Sequence, residues 1–235
     1  MALLSKATIA GLVVGALGLV ISLTPFGASL EEDLGLHLLF KIRGPRRAPT
    51  DVVIITMCKA SAKRLNVPDS PRKWPRLLHA RLIHNLAQKN PAAIGFDIIF
   101  NEPRLPEHDA LFAEAIRNAG NIVLGEWLQR DKVPLFDRAG EKTGHLNIEQ
   151  VIPPISPLAN AALASAPFAL PKLPIRVNSY WAFKTAAGDI PTLPVVVFQV
   201  YALQVYNELI ALLKEYSPAL ARKLPADREA VFADK

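Results

Sequence analysis

The stretch AAIGFDIIFNEPRLPEHDALFAEAIRNAGNIVLG, residues 92–125, decides the fold. Its two ends, residues 92–100 and 121–125, are apolar runs typical of strands buried on both faces of a sheet. Between them, residues 107–119 carry apolar side chains at helical spacing, and Gly120 is placed to cap the end of that helix. The order strand, helix, strand predicts two parallel strands joined by a right-handed crossover.

Upstream, residues 51–57 (DVVIITM) form another β-branched apolar run and predict a further strand. Pro75 is placed to open a helix, because its missing N–H is not needed in the first turn. That helix carries Leu78, Leu82 and Leu86 at intervals of four along one face. The alternation predicts an α/β fold, with a mainly parallel sheet and helices on both faces.

Downstream of residue 127 the pattern is less regular. Residues 130–144 are polar and turn-rich, and residues 153–174 contain six prolines, which predicts a long loop around a short Ala-rich helix. Residues 193–216 predict an amphipathic helix. The remaining expectations are a possible strand over 175–183, an α/β domain over 51–217 with a Pro-rich insertion around 150–174, and a mobile tail over 218–235.

The N-terminal segment, residues 7–30, contains no charged residue and is long enough as a helix to cross a bilayer. It predicts a membrane anchor within residues 1–30, followed by a connector over 31–50. A cleaved signal peptide is the alternative, since Lys6 precedes the apolar run and small residues follow it. Gly11 and Gly15 form a GxxxG pair through which two helices could dimerise, although glycine is also simply common in membrane helices.

Composition narrows the function. Twenty-seven basic and 21 acidic residues give a net charge of +6, spread along the chain, which favours contact with anionic lipid over nucleic acid. Lys41, Arg43, Arg46 and Arg47 follow the apolar segment and would by the positive-inside rule keep the domain in the cytoplasm, but long domains translocate largely regardless of such charges. A single cysteine excludes an intramolecular disulfide framework. No phosphate-binding glycine loop or nucleophile motif occurs, so no cofactor is expected.

Ligands of parallel sheets bind beyond the carboxyl ends of the strands. The polar side chains predicted near that edge, or at the start of the helix that leads to it, are Arg72, Trp74, Arg76, Asp97, Asn101, Glu102 and Glu126. Basic residues around Trp74 could bind an anion at the helix start, or form a solvated loop beneath a tryptophan lid. Asp97 lies inside an apolar strand, and the structural interpretation is that it pairs with Arg76 or with a backbone N–H.

Two enzymatic interpretations are the alternatives to a ligand-binding edge: a metal centre and a cysteine nucleophile. Asp97, Glu102, His108 and Asp109 could gather as ligands of a hydrolytic metal ion, although no HExxH-type spacing supports them. Cys58 ends an apolar run and is most simply a small buried hydrophobe, because Lys59 is expected on the opposite face.

Several short motifs occur in an order that resembles the type-two CHASE domain, a cyclase- and histidine-kinase-associated extracytoplasmic sensor domain of bacteria. The resemblance covers residues 51–147 well and the rest loosely. Its marks in this sequence are Trp74-Pro75-Arg76, Gly95-Phe96-Asp97-Ile98 with Phe100, Asp109 followed by Leu111, Ala115-Ile116, and Gly144 to Asn147.

The resemblance implies a non-enzymatic receptor module that is tethered to the cytoplasmic membrane by one helix, with its main domain outside the cytoplasm. A cyclase or kinase output and an unknown small-molecule or protein stimulus are the implied partners, and a homodimer is possible. Members usually carry an acidic pair where Cys58-Lys59 stands here, and membrane helices follow the domain. The chain is therefore expected to be a fragment, or a truncated member that acts through a partner. A metal-dependent hydrolase and a structural or interaction protein remain the alternatives.

Overall fold

The computed structural model describes residues 6–24, 27, 34–170 and 180–233. The chain forms two compact units. The first comprises the described residues up to Ile55 together with Leu170 and Tyr180. It contains helices α1 (Lys6–Ser22) and α2 (Leu36–Arg43), so a helix lies in the segment predicted as a connector. The predicted strand over 175–183 falls largely outside the described residues.

The second unit runs from Thr56 to Ala169 and continues from Trp181. Short 3₁₀ turns lie at Pro71–Lys73, Thr185–Ala187 and Leu203–Val205. Its helices and strands, in chain order, are α3 (Lys59–Leu65), α4 (Arg76–Ala87), β1 (Ile94–Ile99), α5 (Pro106–Ala119), β2 (Ile122–Phe136), β3 (Lys142–Ile152), α6 (Ser156–Ala159), β4 (Ala164–Pro167), β5 (Phe183–Lys184), β6 (Ile190–Pro191), α7 (Leu193–Ala202), α8 (Tyr206–Tyr216), α9 (Pro218–Ala221) and α10 (Arg228–Ala233).

The main sheet is built around β2. Strands β1 and β4 pair with its first half in parallel, and β3 pairs with its second half in antiparallel orientation. The crossover from β1 to β2 runs through α5, and Gly120 ends that helix in the left-handed conformation, as predicted. The sheet is therefore mixed, with a parallel part that carries the core.

Helices α4 and α5 form the first helix layer. Ile122 and Leu124 of β2 point into this layer and pack with Phe96, Phe112 and Ile116, all of them buried. The helix predicted from Pro75 exists, but its most buried face holds Arg76, His79, Ala80 and Ile83, while Leu78, Leu82 and Leu86 are only half-buried. The spacing of the leucines correctly predicted the helix, but it did not predict that Arg76 and His79 lie on its buried face.

Helix α7 packs on the sheet, and α8 continues the chain after it; we call α7 and α8 the second helix layer. Val123 of β2 and Ala166 of β4 meet Leu193, Val196 and Val200 of α7 in a separate cluster. At Gly95 of β1, a Cβ would stand 2.8 Å from a methyl group of Val197. Glycine therefore allows the close approach of α7 to the sheet. The predicted helices on both faces of the sheet are confirmed.

The strand predicted over 51–57 is wrong. These residues join no sheet, and Val53 and Ile54 are more than 80% exposed. Strand propensity favours a pleated, half-buried position, and a strand forms only where a neighbour pairs with its backbone. In the main sheet, the neighbour of β2 on this side is β1, and residues 51–57 pair with no strand. Cys58 is consequently exposed rather than buried.

Three further segments also differ from expectation. The predicted loop over 130–144 is a long hairpin, in which Val133 pairs with Leu146 and Gly144 to Asn147 lie in β3. The Pro-rich segment contains the short helix α6 as predicted but also the core strand β4. The tail predicted as mobile forms α9 and α10, and Tyr206 donates a hydrogen bond to the Pro225 carbonyl. Polar composition concealed the hairpin and the C-terminal helices, and β4 was missed because its partner strand, β2, is distant in sequence.

Candidate functional site

A buried ion pair lies where the first helix layer meets the end of β1. Arg76 opens α4 and Asp109 lies in the first turn of α5, and the two residues are only 3% and 5% exposed. Nε of Arg76 donates to Oδ1 of Asp109 at 3.2 Å, and Nη2 donates to the Glu102 carbonyl at 3.1 Å. The pair thus joins both helices to the loop that leaves β1.

Asp109 is held from two sides. Its second carboxylate oxygen, Oδ2, accepts the backbone N–H of Arg104 at 2.7 Å. Pro106 occupies the first turn of α5, where free N–H groups and the helix dipole favour a carboxylate. We call Arg76, Glu102, Arg104 and Asp109 the Arg76 clamp. Both oxygens of its buried carboxylate are satisfied, as burial of a charge requires.

The environment of Arg76 is apolar on one side. Its guanidinium carbon stands 4.5 Å from the centroid of the Phe100 ring, at a distance suited to a cation–π contact. Burial lowers the pKa of Arg76, and the Asp109 carboxylate opposes that shift. An arginine stays charged in spite of such a shift. The clamp is therefore a desolvated ion pair whose geometry is fixed by hydrogen bonds.

His79 lies one turn along α4 from Arg76, and it is 2% exposed. Its ring contacts Phe96, Phe100 and Phe112, with centroid separations between 5.3 and 6.5 Å. Nδ1 lies 3.2 Å from the Pro75 carbonyl, which can only accept, so Nδ1 carries the proton. Burial lowers the pKa of His79 to about 4, and the charge of Arg76 acts in the same direction. His79 is a neutral core residue.

Trp74 and Arg72 complete the surroundings of the clamp. Trp74 is buried, and its indole N–H donates to the Pro68 carbonyl at 2.7 Å. Nη2 of Arg104 donates to the Arg72 carbonyl at 2.8 Å. The tryptophan closes its own loop, as the lid interpretation predicts. Since Arg76 is committed to Asp109, the basic side chains left at the surface of this loop are Arg72 and Lys73.

The family follows from a match over nearly the whole chain. A family model described as the CHASE2 domain matches residues 10–228. The chain belongs to the CHASE2 family. CHASE2 domains are extracytoplasmic sensor domains of signalling proteins and are sensory rather than catalytic. No curated protein and no solved structure matches this CHASE2 chain.

Asp97 does not have the partner that the sequence suggested. In this CHASE2 domain Arg76 pairs with Asp109, and Asp97 is exposed on β1. The expected pairing is wrong because alternation along β1 turns Phe96, not Asp97, toward the layer that holds Arg76. Partial burial raises the pKa of Asp97.

The other predicted ligand residues are dispersed. Glu126 of β2 is half-buried and accepts the Ser165 hydroxyl of β4 at 2.5 Å. Asn101 is half-buried after β1, and the exposed Glu102 carboxylate stands 3.7 Å from Arg104. The structure thus brings Arg76 and Glu102 together, through the backbone of Glu102. It places Glu126 in a separate contact between strands β2 and β4.

The four residues named for the hydrolase interpretation do not lie together. Asp109 is taken up by the clamp, Asp97 faces away on β1, and His108 precedes Asp109 on the helix. Among the described residues no three such side chains lie close enough together to hold a metal ion. The four residues proposed as ligands do not form a metal site.

The pairing of Asp109 with Arg76 was missed by sequence reasoning, although a signal for it exists. Asp109 shares one face of α5 with Phe112, Ala113 and Ile116, at spacings of three, four and seven. A carboxylate on an apolar helix face requires a buried cation, and Trp74-Pro75-Arg76 supplies one at the start of the neighbouring helix. By contrast, nothing in the sequence predicts that the Arg104 backbone would contribute.

Two surface grooves of the CHASE2 domain lie away from the predicted ligand residues. One runs between the outer faces of α4 and α5, beside Arg81, His84 and Glu114. The other lies at the opposite end of the strands, beside Asn121 and Gln204. None of the seven predicted ligand residues lines either groove. The clamp therefore acts as structural support and not as the wall of a cavity.

Proposed function

We propose that this chain is the membrane-anchored, extracytoplasmic sensory part of a bacterial signal-transduction receptor. In this proposal it passes a stimulus to a cyclase or kinase output that lies outside the chain. The observation that carries it is the CHASE2 match over residues 10–228, which spans both α1 and the α/β domain. The domain itself has no catalytic role in the proposal and needs no cofactor.

The proposed anchor is α1, which crosses the cytoplasmic membrane once. It is apolar, its residues are exposed, and as a 17-residue helix it is roughly 26 Å long, close to the hydrocarbon thickness of about 30 Å. Leu193–Tyr216 is the one helix of the described residues that is long and apolar enough to span a membrane, whereas the apolar stretch Thr8–Ser22 is shorter. We favour α1 because Leu193, Val196 and Val200 of the longer helix pack on the sheet.

Signalling in this proposal is a shift between populations. A stimulus that binds one arrangement of the domain more tightly than another shifts the equilibrium by that difference in affinity. The Arg76 clamp keeps the first helix layer rigid, so the change is transmitted by movement of whole elements. Exposed polar side chains of the predicted ligand set, Arg72, Asp97 and Glu102, are the proposed contacts for the stimulus.

The lone cysteine offers a direct test of topology. Cys58 is exposed, and a hydrogen bond from Ser61 lowers the pKa of its thiol, which favours reaction with maleimides. A membrane-impermeant maleimide should label the full chain in osmotically opened cells whose inner membrane is intact. The Cys58→Ser variant, produced at the same level, is the control for background.

The opposite outcome is equally clear. Labelling of Cys58 only after the inner membrane is permeabilised would place the domain in the cytoplasm and would contradict the proposal. Recovery of the labelled chain in the soluble fraction after an alkaline carbonate wash would contradict the anchor.

A further inference from the structure

The second helix layer leaves a continuous apolar stripe exposed. It lies on the helix that runs from Leu193 to Tyr216 through α7, the 3₁₀ turn and α8. The inner side of α7 is buried against the sheet, and Ile210 of α8 is buried as well. Six large side chains on the outer side are between 42 and 75% exposed: Phe198, Tyr201, Val205, Leu209, Leu212 and Tyr216. We call these six residues the outer stripe.

The spacing of the outer stripe is that of one helix face. Phe198 and Tyr201 are three residues apart on α7, and Leu209, Leu212 and Tyr216 are three and four residues apart on α8, so each group shares one face of its helix. Val205 lies in the 3₁₀ turn between the two helices. Exposed hydrophobic residues scattered singly are ordinary, but a contiguous row of six marks an interaction surface.

The size of the outer stripe suits a protein interface. Aromatic side chains bury about 150–250 Å² each, so the exposed portions of Phe198, Tyr201 and Tyr216 amount to roughly 400 Å² per copy. The exposed portions of the three aliphatic members bring the total to roughly 600 Å². Two stripes packed together would therefore remove about 1,200 Å² from water, which is at the lower bound for specific protein interfaces. Narrow apolar faces of this kind are typical of helix–helix seams.

The flanks of the outer stripe argue against a lipid surface as its occupant. An interfacial helix carries Lys and Arg beside its apolar face, so that it binds anionic headgroups. Here the exposed residues on the other sides of the helix include Gln199, Gln204, Asn207, Glu208 and Glu215, and Lys214 is exposed on the side opposite the stripe. The helix is long and apolar enough to span a membrane, but Leu193, Val196 and Val200 are packed against the sheet.

We propose that the outer stripe is a homodimer interface and binds the outer stripe of a second copy of this chain. A two-fold axis lets the same patch serve both partners, and two narrow apolar stripes of equal length are self-complementary. This surface is distinct from the Gly11 and Gly15 pair of α1. The inference rests on the surface of α7 and α8 and does not depend on the proposed signalling role.

Cross-linking in isolated membranes tests this interface. The full chain carries Cys58→Ser and Leu209→Cys, and a short bismaleimide is added. Two forms with tags of different size are co-expressed, so that a homodimer gives a mixed product of predictable mass. The matched control places the cysteine at Lys214, which is exposed on the same helix but about 180° from the stripe.

Paired charge substitutions give the second comparison. Phe198→Glu with Leu212→Glu, in the Leu209→Cys background, should reduce the cross-linked fraction at least about tenfold. The reason is that each substitution replaces an apolar side chain of the interface with a charged one. Gln199→Glu with Gln204→Glu adds the same charge beside the stripe and should leave the fraction unchanged. Unchanged far-ultraviolet circular dichroism of both variants shows that the fold is retained.

Several results would overturn the proposal. Equal cross-linking at Leu209→Cys and Lys214→Cys would indicate random collision. A product with the mass of a different protein would assign the surface to another partner. Absence of cross-linking, with Leu209→Cys shielded from a water-soluble maleimide, would assign it to lipid.

Discussion

The two helix layers differ in how completely their apolar side chains are buried. In the first layer, α4 and α5 bury Ile83, Phe112 and Ile116 almost completely and enclose the Arg76 clamp. In the second layer, α7 buries Val196 and Val200 on its inner side, while the outer stripe stays exposed. The first layer is buried within one chain, and in our proposal a second copy covers the exposed part of the second.

The two layers differ in how strongly their contacts constrain geometry. A buried ion pair with all its hydrogen bonds fixes one geometry, because any displacement leaves a charge unpaired in the interior. An apolar helix face has no such directional requirement, since hydrophobic contact is not directional. The first layer therefore suits a fixed frame, and the second suits a surface whose partner or packing changes with a stimulus.

The largest expected effect comes from breaking the clamp. Arg76→Met leaves Asp109 charged and buried without its partner, and we expect the free energy of unfolding to fall by about 3–5 kcal/mol. Urea unfolding followed by tryptophan fluorescence measures this, since Trp74 lies in the adjoining loop. Arg76→Met combined with Asp109→Leu should regain much of the loss. A loss below about 1 kcal/mol for the single variant would show that the pair is not desolvated.

Truncation of one apolar residue in each layer compares the layers directly. Ile116→Ala opens a cavity beside fully buried neighbours and should cost about 2–5 kcal/mol. Leu212→Ala removes a side chain that is 55% exposed and should change the stability of the monomer by less than about 0.5 kcal/mol. Both are measured by urea unfolding at low protein concentration. Equal losses would abolish the distinction between the layers.

His79 should make the first layer sensitive to acid. Its pKa falls from 6.5 to about 4 on folding, so the unfolded chain binds the proton more tightly between those values. The stability contribution is present above pH 6.5 and is lost as the pH falls towards 4, by up to roughly 3 kcal/mol. His79→Phe keeps an aromatic ring among Phe96, Phe100 and Phe112 but cannot titrate. The difference in unfolding free energy between variant and parent should therefore shift across this interval, and a constant difference would refute it.

A small effect is expected for the Arg104 side chain at the rim of the clamp. Arg104 holds Asp109 through its backbone N–H, while its side chain is 38% exposed and lies 3.7 Å from Glu102. Arg104→Ala should therefore cost less than about 1 kcal/mol. Arg104→Pro removes the N–H and should cost substantially more. Equal effects in urea unfolding would mean that the side chain, not the backbone, carries the contact.

Much of this architecture follows from local pattern. Residues 92–125 predict β1, α5 and the Gly120 cap because each has a strong periodic or capping signal within a short window. The hairpin of β2 and β3 escaped prediction because its residues are mostly polar and exposed, although its two strands are neighbours in sequence. The short strand β4 escaped prediction because its partner, the first half of β2, lies on the far side of the hairpin in sequence. The failed strand over 51–57 shows the converse, since a high strand propensity does not supply a neighbour.

The sequence pointed to several residues of the candidate site but not to the pairs that they form. Arg76 and Glu102 were identified correctly as neighbours of the edge of the sheet, and Asp97 was given the role that Asp109 has. Helical spacing places Asp109 on the buried face of α5, yet only tertiary structure shows that this face meets Arg76. Helical spacing indicates that Asp109 needs a buried cation, but the choice of Arg76 depends on how the two helices lie side by side.

Hydrogen–deuterium exchange as a function of protein concentration tests most directly whether one layer is complete and the other needs a second copy. The full chain in detergent micelles is diluted over about a hundredfold range that spans the dissociation of a weak dimer. If the outer stripe binds a second copy, amides of α8 should gain protection as concentration rises, while those of α4 and α5 should keep the same protection throughout. Protection that is independent of concentration in both layers, or that changes equally in both, would contradict it.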